Sequence, residues 1–273
     1  MTVLVASDLD RTLIYSAAAL GLTMPDPVAP RLLCVEVHES RPLSFMTETA
    51  AGLLAELTAD SRVVFVPTTT RTRKQYQRIR FPGRPAAYAI CANGGQLLVD
   101  GAPDRDWRRQ VAKRLERECA PLEEVYGHLL DTADPLWLRK ARVAEDLFAY
   151  LVVERELVPP EWLKELVEWS QERGWTVSLQ GRKIYAVPRP LTKSAAMREV
   201  ARRTGAAHTL AAGDSLLDAD LLEAADEAWR PGHGELADAG WNPPGVRALT
   251  TQGVAAGEEI IRQFGRAVGR LSA

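Results

Sequence analysis

Val3-Leu4-Val5-Ala6-Ser7-Asp8-Leu9-Asp10-Arg11-Thr12 opens the chain with a short apolar run that ends abruptly in two carboxylates and a hydroxyl. Residues 2–7 predict a buried strand, because the run is short, β-branched and has no polar side to give to water. The same signature returns further on. Arg62–Val66 reads as a second buried strand and ends at Pro67-Thr68-Thr69-Thr70-Arg71; Thr209–Ala212 reads as another and ends at Gly213-Asp214-Ser215. Ala228–Arg230 and Val246–Leu249 are shorter strands.

Helices fall between these strands. Thr47 is placed as the N-cap of a helix through about Leu57, and Thr192 as the cap of one that stops at Gly205. Leu216–Ala224 and Gly253–Leu271 complete the set. Strands alternating with helices imply an α/β fold with a parallel sheet covered on both faces. Tyr88–Cys91 and Gln96–Val99 read as a hairpin around Asn93-Gly94-Gly95. Residues 15–46 are less legible: Pro25, Pro27 and Pro30 break any helix, and Leu32–Val37 reads as an extra strand.

The middle of the chain has another rhythm. Asp106–His128 predicts one helix, and Leu136–Arg142 and Leu147–Val153 predict strands. Pro160–Arg173 is amphipathic, with Trp162, Leu163, Leu166, Val167 and Trp169 on its apolar side. Trp175–Leu179 and Lys183–Val187 are strands again. This order suits an antiparallel sheet with helices on one face. The expected organisation is therefore an α+β domain at 104–188, inserted into a core formed by 1–103 and 189–273.

The bulk composition is that of an ordinary globular protein, with 46% hydrophobic and 26% charged residues among 273. A net charge of −2 argues against a general nucleic-acid or membrane-surface binder. Cys34, Cys91 and Cys119 are odd in number and form no C-x-x-C, so neither a disulfide framework nor a zinc site is expected, and a cytoplasmic setting is. The apolar run at the start is too short for a signal peptide or a membrane span.

Polar residues cluster at the carboxyl ends of the predicted strands, the edge where open α/β sheets bind ligands. Asp8 and Asp10 leave the first strand two positions apart, and Asp214 leaves another. Converging carboxylates repel unless a cation neutralises them, and hard oxygens select a hard divalent cation such as magnesium. A carboxylate beside such a cation can attack phosphorus to give an aspartyl phosphate. A second one can protonate the leaving oxygen and then deprotonate the attacking water. A lysine and a hydroxyl would hold the remaining phosphoryl oxygens. Lys193 sits in a first helical turn, where a lysine is unfavourable to the helix dipole, so a task is expected of it.

Asp8-Leu9-Asp10-x-Thr12, Thr69, Lys193 and Gly213-Asp214-x-x-x-Asp218 resemble the four ordered motifs of the haloacid dehalogenase (HAD) superfamily. The resemblance implies a Rossmann-like core, Asp8 as nucleophile, Asp10 as general acid/base, and Thr69 and Lys193 as phosphate ligands. It implies magnesium held by Asp8, by the Asp10 main chain and by Asp214, with Ser215 and Asp218 behind them. Thr68 is the alternative to Thr69. The stretch between the second and third motifs is more than twice that between the first and second. An insertion there resembles the C2-type cap, and Ile90-x-x-Asn93-Gly94 with Gly213-Asp214-Ser215-x-x-Asp218 resembles the Cof-type, sucrose-phosphate-phosphatase-like and mannosyl-phosphoglycerate-phosphatase-like branches. These act mostly on sugar phosphates and related small metabolites.

Three departures stand out: Arg11 occupies a position where many members have glycine, Leu217 one where asparagine is common, and Thr70 one that is usually glycine in the Cof group, which is why Thr68 is an alternative to Thr69. Candidate substrate contacts are Asn93, His233 and the basic residues Arg139, Arg142, Arg182 and Lys183, with Lys140 beside them. Two other uses of the same residues stay open. One is phosphoryl transfer from Asp8 to another hydroxyl, as in a phosphotransferase or mutase. The other is a catalytically weak regulatory binding protein.

Overall fold

A computed structural model describes residues 1–271. Strand β1 (Val3–Ser7) is buried at every position. A hairpin of β2 (Leu32–His38) and β3 (Arg41–Thr47) follows, then helix α1 (Glu48–Ala59) and strand β4 (Val63–Pro67). The Thr47 hydroxyl accepts the Ala50 N–H at 2.9 Å, satisfying an amide that α1 leaves without an intrahelical partner. The single turn α2 (Arg73–Tyr76) leads into a small sheet of β5 (Tyr88–Cys91), β6 (Gln96–Val99) and β7 (Ala102–Pro103).

A second compact unit then intervenes, Asp104–Thr192. It contains α3 (Arg105–Glu118), α4 (Leu122–Thr132), β8 (Leu138–Ala144), β9 (Phe148–Val153), α5 (Pro160–Glu172), β10 (Trp175–Gln180) and β11 (Lys183–Pro188). The first unit resumes with α6 (Lys193–Thr204), β12 (His208–Ala212), α7 (Ala219–Ala224), β13 (Glu227–Arg230), α8 (Glu235–Asp238), β14 (Val246–Ala248) and α9 (Val254–Arg270). Among the described residues, no helix is long and apolar enough to cross a membrane.

The first unit is built on a parallel sheet of order β14-β13-β12-β1-β4. β1 lies between β4 and β12, so the chain leaves it toward one neighbour and returns beside the other. Such a reversal opens a crevice at the carboxyl ends of the strands. Leu9, Ile14, Leu54, Phe65 and Trp229 pack in one core with Ile260, Phe264 and Ala267 of α9. Those α9 positions recur at helical spacing, which is why this helix turns one face inward.

The second unit carries an antiparallel sheet of order β10-β11-β9-β8, with α4 and α5 packed on it. The single helix expected over Asp106–His128 is instead two, α3 and α4, separated at Cys119-Ala120-Pro121. Pro121 lacks an N–H and keeps the residue before it out of helical geometry. The break is used: Ala120 N–H donates to the Arg173 carbonyl at 2.8 Å, and the Trp175 indole N–H to the Ala120 carbonyl at 2.9 Å. Gly174 closes this corner with φ of +74°, and a Cβ there would meet the Glu118 carbonyl at 2.5 Å. Trp162 and Trp169 are half-buried: Trp162 packs on Trp137 and Trp169 stacks on His128.

Candidate active site

Asp8 is the first residue beyond β1, and its N–H donates to the Ala212 carbonyl at 2.8 Å, which ties the ends of β1 and β12 together. Its side chain is buried, with Oδ1 accepting from Lys193 Nζ at 2.6 Å. Lys193 is fully buried at the start of α6, and its second partner is Asp218 Oδ1. Burial works against the lysine's charge, yet Asp218 and Asp8 outweigh it and hold its pKa above the usual range.

Asp218 also organises the loop after β12. Its Oδ2 accepts the N–H of Asp214 at 3.1 Å, the N–H of Ser215 at 2.9 Å and the Ser215 hydroxyl at 2.7 Å. The 213–215 turn is thereby drawn onto the carboxylate so closely that only glycine fits at its start. A Cβ on Gly213 would meet Asp218 Cβ at 2.4 Å. Gly213→Ala is therefore expected to destabilise the protein by about 1–3 kcal/mol. A thermal melt against wild type checks this.

One ligand atom each from Asp8, Asp214 and Asp218 lies within 4.8 Å of the others. Burial, then the Asp218 charge, pushes Asp8 up to about 7, against the opposing pull of Lys193. Burial and the Asp8 charge likewise raise Asp214 well above the carboxylate range. Fully ionised, the three carboxylates would carry more negative charge than Lys193 and the neighbouring Arg11 offset. Buried, close-set hard oxygens of this kind suit a small divalent cation.

Asp10 points elsewhere. Its carboxylate is half-exposed and takes two hydrogen bonds from Arg71, Nε to Oδ2 and Nη2 to Oδ1, both 2.7 Å. Thr68 and Thr69 follow β4 and are both fully buried. The Thr68 hydroxyl donates to the Val66 carbonyl at 2.9 Å. The Thr69 hydroxyl accepts the Arg71 N–H at 3.1 Å, which leaves its own proton to donate. Asn93 is buried in a left-handed turn, φ +54°, with its N–H on the Thr69 carbonyl at 3.0 Å.

Arg11 also has a left-handed backbone, φ +63°, the region where glycine is favoured. Its Nε stands 3.7 Å from Asp214 Oδ2. Leu217 is buried and offers no polar contact. His233 uses both ring nitrogens on backbone: Nε2 donates to the Arg11 carbonyl at 2.8 Å and Nδ1 accepts the Gly253 N–H at 3.2 Å. It braces the loop that carries Asp8 and Asp10, and burial lowers its pKa.

In the second unit, strand register places Arg142, Tyr150, Tyr185 and Ser178 in one row across the sheet. Lys140, Val152, Lys183 and Gln180 form the next row on the same face. Lys183 Nζ stands 5.5 Å from the Tyr150 ring and 5.7 Å from the Tyr185 ring. Arg139 is ion-paired to Glu154 at 3.0 Å, and Arg182 lies exposed at the β10–β11 turn. Arg71 and its partner Glu36 were not among the expected site residues. The available signal was a basic residue directly after Thr68-Thr69-Thr70 at a strand end.

The parallel-sheet core, the inserted unit and the acidic strand ends together give this chain the fold of the HAD-superfamily phosphatases with a cap. Among solved structures, it is similar to the sucrose-phosphatase of Synechocystis at 16% identity, over 97% of this chain and 99% of that one, with a TM-score of 0.64. It is similar to the C-terminal domain of trehalose-6-phosphate phosphatase from C. albicans at 12% identity, over 96% and 92%, with a TM-score of 0.55. A phosphatase of the haloalkanoate (HAD) superfamily from Bacteroides thetaiotaomicron matches at 14% identity over 97% and 96%, with a TM-score of 0.53. No family model and no curated protein matches the chain.

Proposed function

We propose that this chain is a magnesium-dependent phosphohydrolase acting on a phosphate monoester of a small anionic metabolite, a sugar phosphate or a related compound, through an aspartyl phosphate on Asp8. One observation carries the reading. At the reversal point of the parallel sheet, buried Asp8 has Lys193 on one oxygen, with Asp214 and Asp218 close by. The phosphatase activity named for its structural neighbours supports a phosphoric monoester hydrolase.

In this reading Asp8 Oδ2 attacks phosphorus, since Oδ1 is held by Lys193. The new bond joins Asp8 to phosphorus as the ester P–O bond breaks. Asp10 gives its proton to the departing oxygen. It then takes a proton from water as that water attacks phosphorus and frees Asp8. Lys193 and the Thr69 hydroxyl bind phosphoryl oxygens and offset their charge. Magnesium, held by Asp8, the Asp10 carbonyl and Asp214, would supply charge neutralisation at the phosphoryl group. Asp218 and Ser215 keep the Asp214 loop in place. A panel of phosphorylated metabolites with magnesium, read by inorganic phosphate, tests the function. Appearance of a new phosphate ester without inorganic phosphate would make the chain a phosphotransferase. Absence of any turnover would leave a binding protein.

The inserted unit is assigned the substrate's distal groups. Arg142 and Lys183 share a sheet face with two tyrosines, whereas Arg139 is engaged with Glu154. Loss of a charge-assisted bond costs about 1.5–3 kcal/mol. Arg142→Ala and Lys183→Ala are therefore expected to lower kcat/KM for the native ester roughly ten- to a hundred-fold. Arg139→Ala should leave it unchanged. Hydrolysis of p-nitrophenyl phosphate should barely respond to any of them. Equal effects on both esters would refute this assignment.

A further inference from the structure

The Asp10 carboxylate is joined to the β2–β3 hairpin by side chains that the reading above gives no task. Arg71 is largely buried, with 13% of its side chain exposed. It spends Nε and Nη2 on Asp10, both at 2.7 Å. Nη1 donates instead to Glu36 Oε2 at 2.8 Å, and Nη2 also reaches Ser44 Oγ at 3.3 Å. The Ser44 hydroxyl donates to that same Glu36 oxygen at 2.6 Å. Arg78 stands 3.9 Å from the other oxygen of Glu36.

Glu36 is 2% exposed, on a strand of a two-stranded hairpin whose neighbouring positions are mostly open to solvent. A buried carboxylate costs several kcal/mol unless it is paired and hydrogen-bonded. The backbone is shaped to place it. The β2–β3 ladder shifts register on both sides of Glu36, and such irregularities re-aim a side chain. A long arginine side chain loses much rotamer freedom when it is fixed in one geometry. Tied down at Glu36, Arg71 has lost that freedom before it meets Asp10. The planar fork then fixes both oxygens of Asp10 at once, which a lone lysine would not do.

We infer that Glu36 is a positioning residue: acting through Arg71, it fixes the orientation of the Asp10 carboxylate for proton transfer at the ester and water oxygens. This rests on the role proposed above for Asp10. Proton transfer requires hydrogen-bond reach, and a displacement of about 1 Å costs on the order of a hundred-fold in rate. The β2–β3 hairpin thereby acquires a function that its position outside the parallel sheet does not disclose.

The test separates protonation from everything else. Glu36→Met keeps volume and removes the acceptor; Glu36→Gln keeps an acceptor oxygen for Arg71 and Ser44. An alkyl phosphate needs its leaving oxygen protonated, whereas the p-nitrophenolate of an aryl ester leaves unaided. In single turnover with magnesium, Glu36→Met should slow release of the alkyl alcohol roughly ten- to a hundred-fold, with KM within about threefold. Release of p-nitrophenol should fall less than about threefold, and Glu36→Gln should restore most of the loss. Asp10→Asn in the same assay reads the parent claim. If it lacks this leaving-group signature, the acid/base role of Asp10 fails. If Asp10→Asn shows it and Glu36→Met does not, the inference about Glu36 fails alone. A crystal structure of Glu36→Met reads the geometry without turnover, and both Arg71–Asp10 bonds intact would overturn the inference. Should Glu36→Met not fold, Ser44→Ala, which removes one bond to Glu36, must show the same signature at about two- to fivefold. Its absence would overturn the inference equally.

Discussion

Asp8→Asn is expected to lower kcat by at least about a thousandfold, about 4 kcal/mol of barrier, while the protein still folds. An amide of the same shape keeps an oxygen for Lys193 but does not attack phosphorus. Folding survives because the substitution removes a charge that burial and Asp218 disfavour. The pH dependence has a definite sign. In the metal-free protein the folded state holds the Asp8 proton more tightly than the unfolded state does. Its contribution to stability is therefore fully present below the unfolded carboxylate pKa and is lost as pH rises through about 7. In melts with EDTA across that window, the mutant should lose less stability with rising pH than wild type. A mutant keeping more than about a tenth of wild-type kcat would end the nucleophile assignment.

Asp214→Ala should abolish most of the response to magnesium, both in turnover and in stability. Wild-type protein should gain about 2.7 kcal/mol when magnesium is at a hundredfold excess over its Kd. That gain should grow between pH 5.5 and 8, because a hard cation needs its carboxylates ionised and both Asp8 and Asp214 hold protons unusually high. EDTA should stop turnover and magnesium restore it. Calcium should inhibit, since its larger and looser coordination shell misplaces Asp8. Calorimetric melts of both proteins with each metal check this. An unchanged magnesium response in Asp214→Ala, or full activity in EDTA, would remove the metal from the account.

The parallel core was legible because its strands are short apolar runs that end at once in polar residues, as at Ser7-Asp8 and Ala212-Gly213-Asp214. The β3 strand was not. The turn that makes its hairpin, Glu39-Ser40, places both residues at positive φ, 49° and 61°, without the glycine or asparagine that normally announces such a turn. Pro42 in the strand hid it further. The break between α3 and α4 is concealed for another reason. Val111 and Leu115 before Pro121, and Leu122, Val125 and Leu129 after it, keep a helical rhythm that masks the interruption. At the site, Asp8, Lys193, Asp214 and Asp218 are brought together by the sheet itself. Asp10 is different. Its spacing from Asp8 says nothing of where its carboxylate turns. That depends on Arg71 and on a glutamate in the hairpin the sequence leaves obscure.

The covalent phosphorylation proposed for Asp8 is open to direct chemical capture. Borohydride reduces an acyl phosphate to an alcohol and leaves a free carboxylate alone. Protein quenched during turnover of a phosphate ester, reduced and digested, should contain homoserine in place of Asp8 in the peptide that spans that position. Asp8→Asn should give none, and neither should wild type quenched without ester. Steady turnover by wild type with no reduction product at position 8, or with the product at another carboxylate, would contradict the account at its centre.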